Sequence, residues 1–164
     1  MIHINASSAS LLFLLQGVHP TADDGTKMYK NILVPVDLEH QEQVSKAMAV
    51  GTDLAKHYGA SITIVSVTTA APSAVAHNPE EFQSKLEQFA SERSKEFGIE
   101  IASKIMLSHD PTVDIDDTIQ KAASELNTDL VVMGSHVPGF MEYVFASRAG
   151  YLASHADMSV LVVR

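Results

Sequence analysis

The sequence predicts an α/β fold, an open and mostly parallel β-sheet with helices on both faces. Three observations predict it. Short apolar runs with little polar alternation, ILVPV at 32–36, DLVVM at 129–133 and SVLVV at 159–163, read as strands buried on both faces. The stretches between the runs carry apolar residues at three- and four-residue steps, the period of an amphipathic helix. Strand and helix alternate along the chain without a long internal repeat, which is the order that folds into a parallel sheet with crossover helices.

The elements follow in order. Ile32 to Val36 forms the first strand, ended by Asp37. Val44, Ala47, Met48, Gly51, Leu54, Ala55 and Tyr58 then mark one face of a helix, and Gly59 supplies its stop. SITIVSV at 61–67 is the second strand, and TTAAPSAVAHNP has no period and reads as a loop. Phe82, Leu86, Phe89, Arg93 and Phe97 define the next helical face, with Gly98 at its end. IEIASKIML is strand-like with interrupted alternation, and a third helix places Ile115, Ile119, Ala122, Ala123 and Leu126 inward. The strand at 129–133, a helix over about 147–155 and the strand at 159–163 complete the fold.

Composition narrows the partners. The chain has 164 residues and a net charge of −9, with 20 Asp and Glu against 11 Lys and Arg. Such a balance repels polyphosphate backbones and anionic lipid, so nucleic acid and membrane surfaces are not expected partners. Cysteine is absent, which fits a reducing compartment and a cytoplasmic location. The apolar run Leu11 to Leu15 is too short to span a bilayer, and no Lys or Arg precedes it as a secretory signal would require. Residues 1–27 are therefore read as an extension outside the fold, and 28–164 as the domain.

Four landmarks from Tyr29 onward, KNILVPVD, SITIVSV, DLVVMGSH and HADMSVLVVR, resemble the universal stress protein family in content and order. The resemblance implies a Rossmann-like sheet of the adenine nucleotide alpha hydrolase type, with five strands in the order 3-2-1-4-5. It implies a homodimer through the last strand. For one branch it also implies ATP, or ADP or AMP in its place, across the ends of the first and fourth strands, with Mg accompanying ATP. An edge strand such as SVLVV exposes unpaired backbone groups unless another chain covers it, and a proline at Leu161 would remove a donor there.

In the ATP-binding branch the fourth strand is followed by G-x2-G-x9-G-[S/T]. The glycines let backbone N–H groups approach phosphate, and the next helix offers its free N-terminal donors. Gly134 matches the first glycine and Val137 stands at the second. The full spacing reaches Ser147 and Arg148, whereas a loop shorter by one residue places Ala146 and Ser147 on the closing pair. The shorter register is preferred, because GSHVP with a following Tyr and small-residue pair resembles the F/G-type branch. Ser147 keeps a hydroxyl, and Arg148 could meet phosphate as a charged fork.

Each remaining candidate has a structural alternative. By resemblance Asp37 bonds the adenosine part of the ligand; otherwise it caps the next helix. Pro35 and Val36 line an adenine pocket, or are strand residues only. Val67 ends the second strand beside the same site. Met133 packs on the nucleotide or belongs to the core, and His136 reaches a phosphate or is a surface histidine. The run DPTVDIDDT gathers Asp110, Asp114, Asp116 and Asp117 but lacks the glycine and final glutamate of a calcium loop, so its acids are assigned to a helix start and no metal is expected. No Gly-x-Ser-x-Gly elbow or Walker loop is present, and no catalytic residue is named. Two function classes follow: a nucleotide-sensing stress protein, or a dimeric interaction module acting on an unidentified protein partner without ligand.

Overall fold

The computed structural model describes residues 27–134 and 158–164. Five strands and three helices lie within them: β1 (Asn31–Pro35), α1 (Gln41–Tyr58), β2 (Ser61–Thr68), α2 (Pro79–Phe97), β3 (Ile101–Leu107), α3 (Pro111–Glu125), β4 (Leu130–Gly134) and β5 (Ser159–Val163). All pairings are parallel, and the strand order is β3-β2-β1-β4-β5. The helix expected over about 147–155 lies outside the described residues, as do residues 1–26.

The apolar runs are continuous because each strand feeds two cores. Ile32 and Val34 of β1 and Leu130 and Val132 of β4 join Met48, Ile62, Ile64 and Leu86 on one side of the sheet. Leu33, Val131 and Met133 point the other way and pack with Val65, Ile115, Ile119 and Ala122. Alternation is present in the backbone but invisible in the residue types, since both faces are apolar.

Local chemistry sets the element ends. Gly59 and Gly98 adopt the left-handed conformation, with φ of 60° and 62°, and their N–H groups close onto the carbonyls of Ala55 and Ser94. Asn127, at φ 49°, stands in the same region just after α3, a position asparagine tolerates better than most residues. Gly51 serves a different purpose. A Cβ there would stand 3.0 Å from Val34 Cγ2, so its absence lets α1 approach the sheet closely.

β3 starts two residues later than the strand-like sequence does. Ile99 still donates to the Ser94 carbonyl that ends α2, and Ile101 then donates to Ser94 Oγ at 3.0 Å. As an edge strand, β3 is only partly covered, which accounts for its broken alternation. Arg93, on the apolar face of α2, stays there by lying over the Phe89 ring at 5.1 Å from its centroid. Asp129 ties the start of β4 to the start of β1, its carboxylate accepting from Lys30 N at 2.7 Å and Asn31 N at 3.2 Å.

Candidate functional site

From β1 the chain winds outward to β2 and β3, then crosses back to place β4 on the other side of β1. The reversal leaves a crevice beyond the carboxyl ends of β1 and β4, the place where parallel sheets bind ligands. A cavity of about 340 Å³ opens there, within the range of small-molecule sites. Pro35, Val36, Asp37, Val67, Met133 and Gly134 all line it, so the six sequence-named site residues that lie in the described part share one cavity. His136, Ser147 and Arg148 lie outside the described residues, with Val137 and Ala146.

Pro35 ends β1, and Val36 extends its pairing by one further bond, donating to the Val65 carbonyl at 2.8 Å. Val36 and Met133 are buried in the two opposite cores and also face the cavity, so core and pocket roles are shared. Asp37 does not cap α1. Its Oδ1 accepts from Glu39 N at 2.8 Å in a turn two residues long, and its Oδ2 meets His40 Nδ1 at 2.9 Å. His40 holds the cap position of α1 and makes no side-chain capping bond.

The hydrogen bond to Asp37 raises the His40 pKa above its ordinary value; burial opposes the rise, and the charges of Asp37, Glu39 and Glu42 add to it. A raised folded value means that this pair stabilises the fold below the unfolded pKa, near 6.5, and the contribution is lost as pH rises through the folded value. We expect the His40 ring to titrate above the ordinary histidine value by NMR, and Asp37→Asn to bring it back down. A His40 titration that Asp37→Asn leaves in place would exclude the pair.

The segment between β2 and α2, without period in sequence, supplies Thr69, Ser73 and Val75 to the cavity wall. It is pinned at several points. Ser73 N donates to the Ala76 carbonyl at 2.8 Å, Ser73 Oγ accepts from Val75 N and Ala76 N, and Lys85 Nζ donates to the Val75 carbonyl. Asn78 caps α2 through Glu81 N at 2.8 Å, and the Glu81 carboxylate returns to His77 N at 2.9 Å. Lys85, 2.7 Å away, and the two His77 bonds pull the Glu81 carboxyl down to about 2. The string Asn78-Pro79-Glu80-Glu81 carries the signature of such a helix start.

Sequence reasoning also missed Glu39, His40, Phe82 and Asp116 as cavity residues. Phe82, Ile115 and Ile119 were readable only as core faces of α2 and α3, because the cavity opens where those faces run past the end of the sheet. Of the acidic run, Asp114 lies in the first turn of α3 and Asp116 reaches the cavity. Among the described residues, no three His, Cys, Asp or Glu side chains gather as metal ligands. The lining thus combines apolar side chains (Val36, Val65, Val67, Ile115, Ile119, Met133) with hydroxyls and carboxylates. Such a surface suits a flat aromatic group bearing a polar, hydroxylated end.

The model of the universal stress protein family matches residues 28–164. The chain belongs to the universal stress protein family. Universal stress protein G of Escherichia coli O157:H7 is 30% identical over 148 residues, covering 84% of this chain and 100% of the relative. Among solved structures, a universal stress protein in complex with cAMP superposes with a TM-score of 0.61 at 18% identity, over 84% of this chain and 98% of that one. A universal stress protein from Archaeoglobus fulgidus in complex with dAMP gives a TM-score of 0.55 at 18% identity, over 84% of this chain and 99% of that one. These likenesses confirm the Rossmann-like universal stress protein fold with strand order 3-2-1-4-5. No helix among the described residues is long and apolar enough to cross a membrane.

Proposed function

We propose that this universal stress protein is a cytoplasmic stress-response regulator that binds an adenine nucleotide, ATP, ADP or AMP, with Mg accompanying ATP. The observation that carries the reading is the cavity at the topological switch point, which gathers Pro35, Val36, Asp37, Val67, Met133 and Gly134. Fold relatives in complex with cAMP and dAMP support the same ligand class. Binding rather than turnover is the role, with at most slow hydrolysis: the apolar side chains hold the base, the Asp37 turn meets the ribose, and the chain after Gly134 meets the phosphate.

Calorimetry on freshly purified protein tests this. ATP and adenosine should both bind, and Asp37→Ala should weaken both by about tenfold, the loss of one charge-assisted hydrogen bond. No binding of either at millimolar concentration would end the nucleotide reading.

A second reading has its own support. β5 lies at the sheet edge with Leu161 and Val162 more than a third exposed, an apolar edge fit for another chain. In this reading the protein is a homodimer through β5 that regulates a protein partner. The two readings are compatible when nucleotide changes the dimer, and they separate when the protein purifies as a dimer that binds no nucleotide.

A further inference from the structure

We infer that Ser66 and Thr68 bind the base of the nucleotide, their hydroxyls hydrogen-bonding the polar edge of the purine. The inference rests on the nucleotide reading above and assigns the end of the ligand farthest from the phosphate. Three polar residues are buried among the described residues, Thr52, Ser66 and Thr68. Thr52 is satisfied within its own helix, its hydroxyl shared between the carbonyls of Met48 and Ala49, each at 2.9 Å. Ser66 and Thr68, 2% and 7% exposed, instead line the cavity, and neither hydroxyl bonds another group among the described residues.

A strand cannot satisfy such a hydroxyl as a helix does. The backbone of β2 is paired with β1 through Val65 and with β3 through Thr68, so its polar groups lie in the plane of the sheet, away from the side chains on its faces. A buried hydroxyl without a partner is costly, and two of them on the wall of one cavity mark a surface that meets a polar ligand edge. Alternation along β2 puts both on the face shared with Ile62 and Ile64, and Val36 and Phe82 of the same core also reach the cavity. This wall therefore offers apolar surface and hydrogen bonds together, as an aromatic ring with a polar edge requires.

The strand order assigns the base to it. The ends of β4, β1 and β2 all line the cavity and are consecutive neighbours in the sheet. In the nucleotide reading the chain after Gly134 meets the phosphate, and Asp37, following β1, meets the ribose. The next strand end along that line is the end of β2, roughly 10 Å from the end of β4 at the usual strand spacing, a span that a nucleoside monophosphate covers. Each hydroxyl both donates and accepts, so the pair serves an amino group and a ring nitrogen alike.

The test compares the full chain with its Ser66→Ala and Thr68→Val variants in calorimetry with adenosine and 2′-deoxyadenosine, and records the melting temperature of each protein without ligand. Each variant should weaken both nucleosides by the same factor, about fivefold. The melting temperature should stay at or above the parent's, because removing a buried hydroxyl that has no partner within the chain is neutral or stabilising. A loss for adenosine that disappears with 2′-deoxyadenosine would move the hydroxyls to the ribose and overturn the inference. Variants that bind both nucleosides as the parent does, or that lose affinity only together with a lowered melting temperature, would overturn it as well. A parent protein that binds neither nucleoside would instead remove the nucleotide reading, and this inference with it.

Discussion

Val132→Asp is expected to abolish folding. Val132 is fully buried in β4, in the larger apolar core that also holds Val34 and Leu130. An aspartate there must bury an unpaired charge or take up a proton, and either course costs about 4 kcal/mol or more. A domain of this size has on the order of 5–15 kcal/mol of total stability, so one such change consumes much of it. Circular dichroism should show an insoluble or unfolded product, whereas Val132→Ala should remain folded with a loss of about 2 kcal/mol. A soluble Asp variant with the parent's melting temperature would mean that β4 is not a central strand.

Val162→Pro is expected to convert the proposed homodimer to monomer. In a parallel strand the N–H and C=O of one residue point to the same side, and successive residues alternate. Ser159 N donates to the Asp129 carbonyl at 3.0 Å, so Ser159, Leu161 and Val163 direct their backbone toward β4. Val160 and Val162 therefore direct theirs to the free edge. Proline at Leu161, the position the sequence suggested, would break the internal ladder with β4 and confuse assembly with stability. Proline at Val162 removes only an outward donor, which edge strands tolerate. Sedimentation should show monomer where the parent is a dimer, with a melting temperature much closer to the parent's than that of Leu161→Pro. A Val162→Pro protein that sediments as an unchanged dimer would rule out backbone pairing at this edge.

The separation between these two variants could not be made from the sequence, which shows that SVLVV is a strand but not which way each N–H points. The same limit applies at the site. Asp37 and Gly134 could be singled out because each ends a legible apolar run, and strand ends are where such sheets bind. His40 follows Asp37 by three residues, and nothing in its neighbours distinguishes it from a helix-surface histidine until the turn folds and brings the two within 2.9 Å. Asp116 read only as an acid at a helix start, because its place on the cavity depends on where α3 lies against the sheet.

By itself, then, the sequence determined what nearest neighbours along the chain control. Apolar periodicity set the strands and helices, Gly59 and Gly98 set two helix stops, and unbroken apolar runs set strands covered on both faces. These depend on backbone sterics and on burial, which act residue by residue. Periodicity carries no strand order; only the family resemblance supplied 3-2-1-4-5. The tertiary structure alone decided the close approach of α1 at Gly51, the Asp37 to His40 pair, the anchoring of the segment before α2, and the cavity lining. Each joins groups from separate elements or a folded turn, and a contact that exists only after the chain has been brought back on itself leaves no periodic trace in the order of its residues.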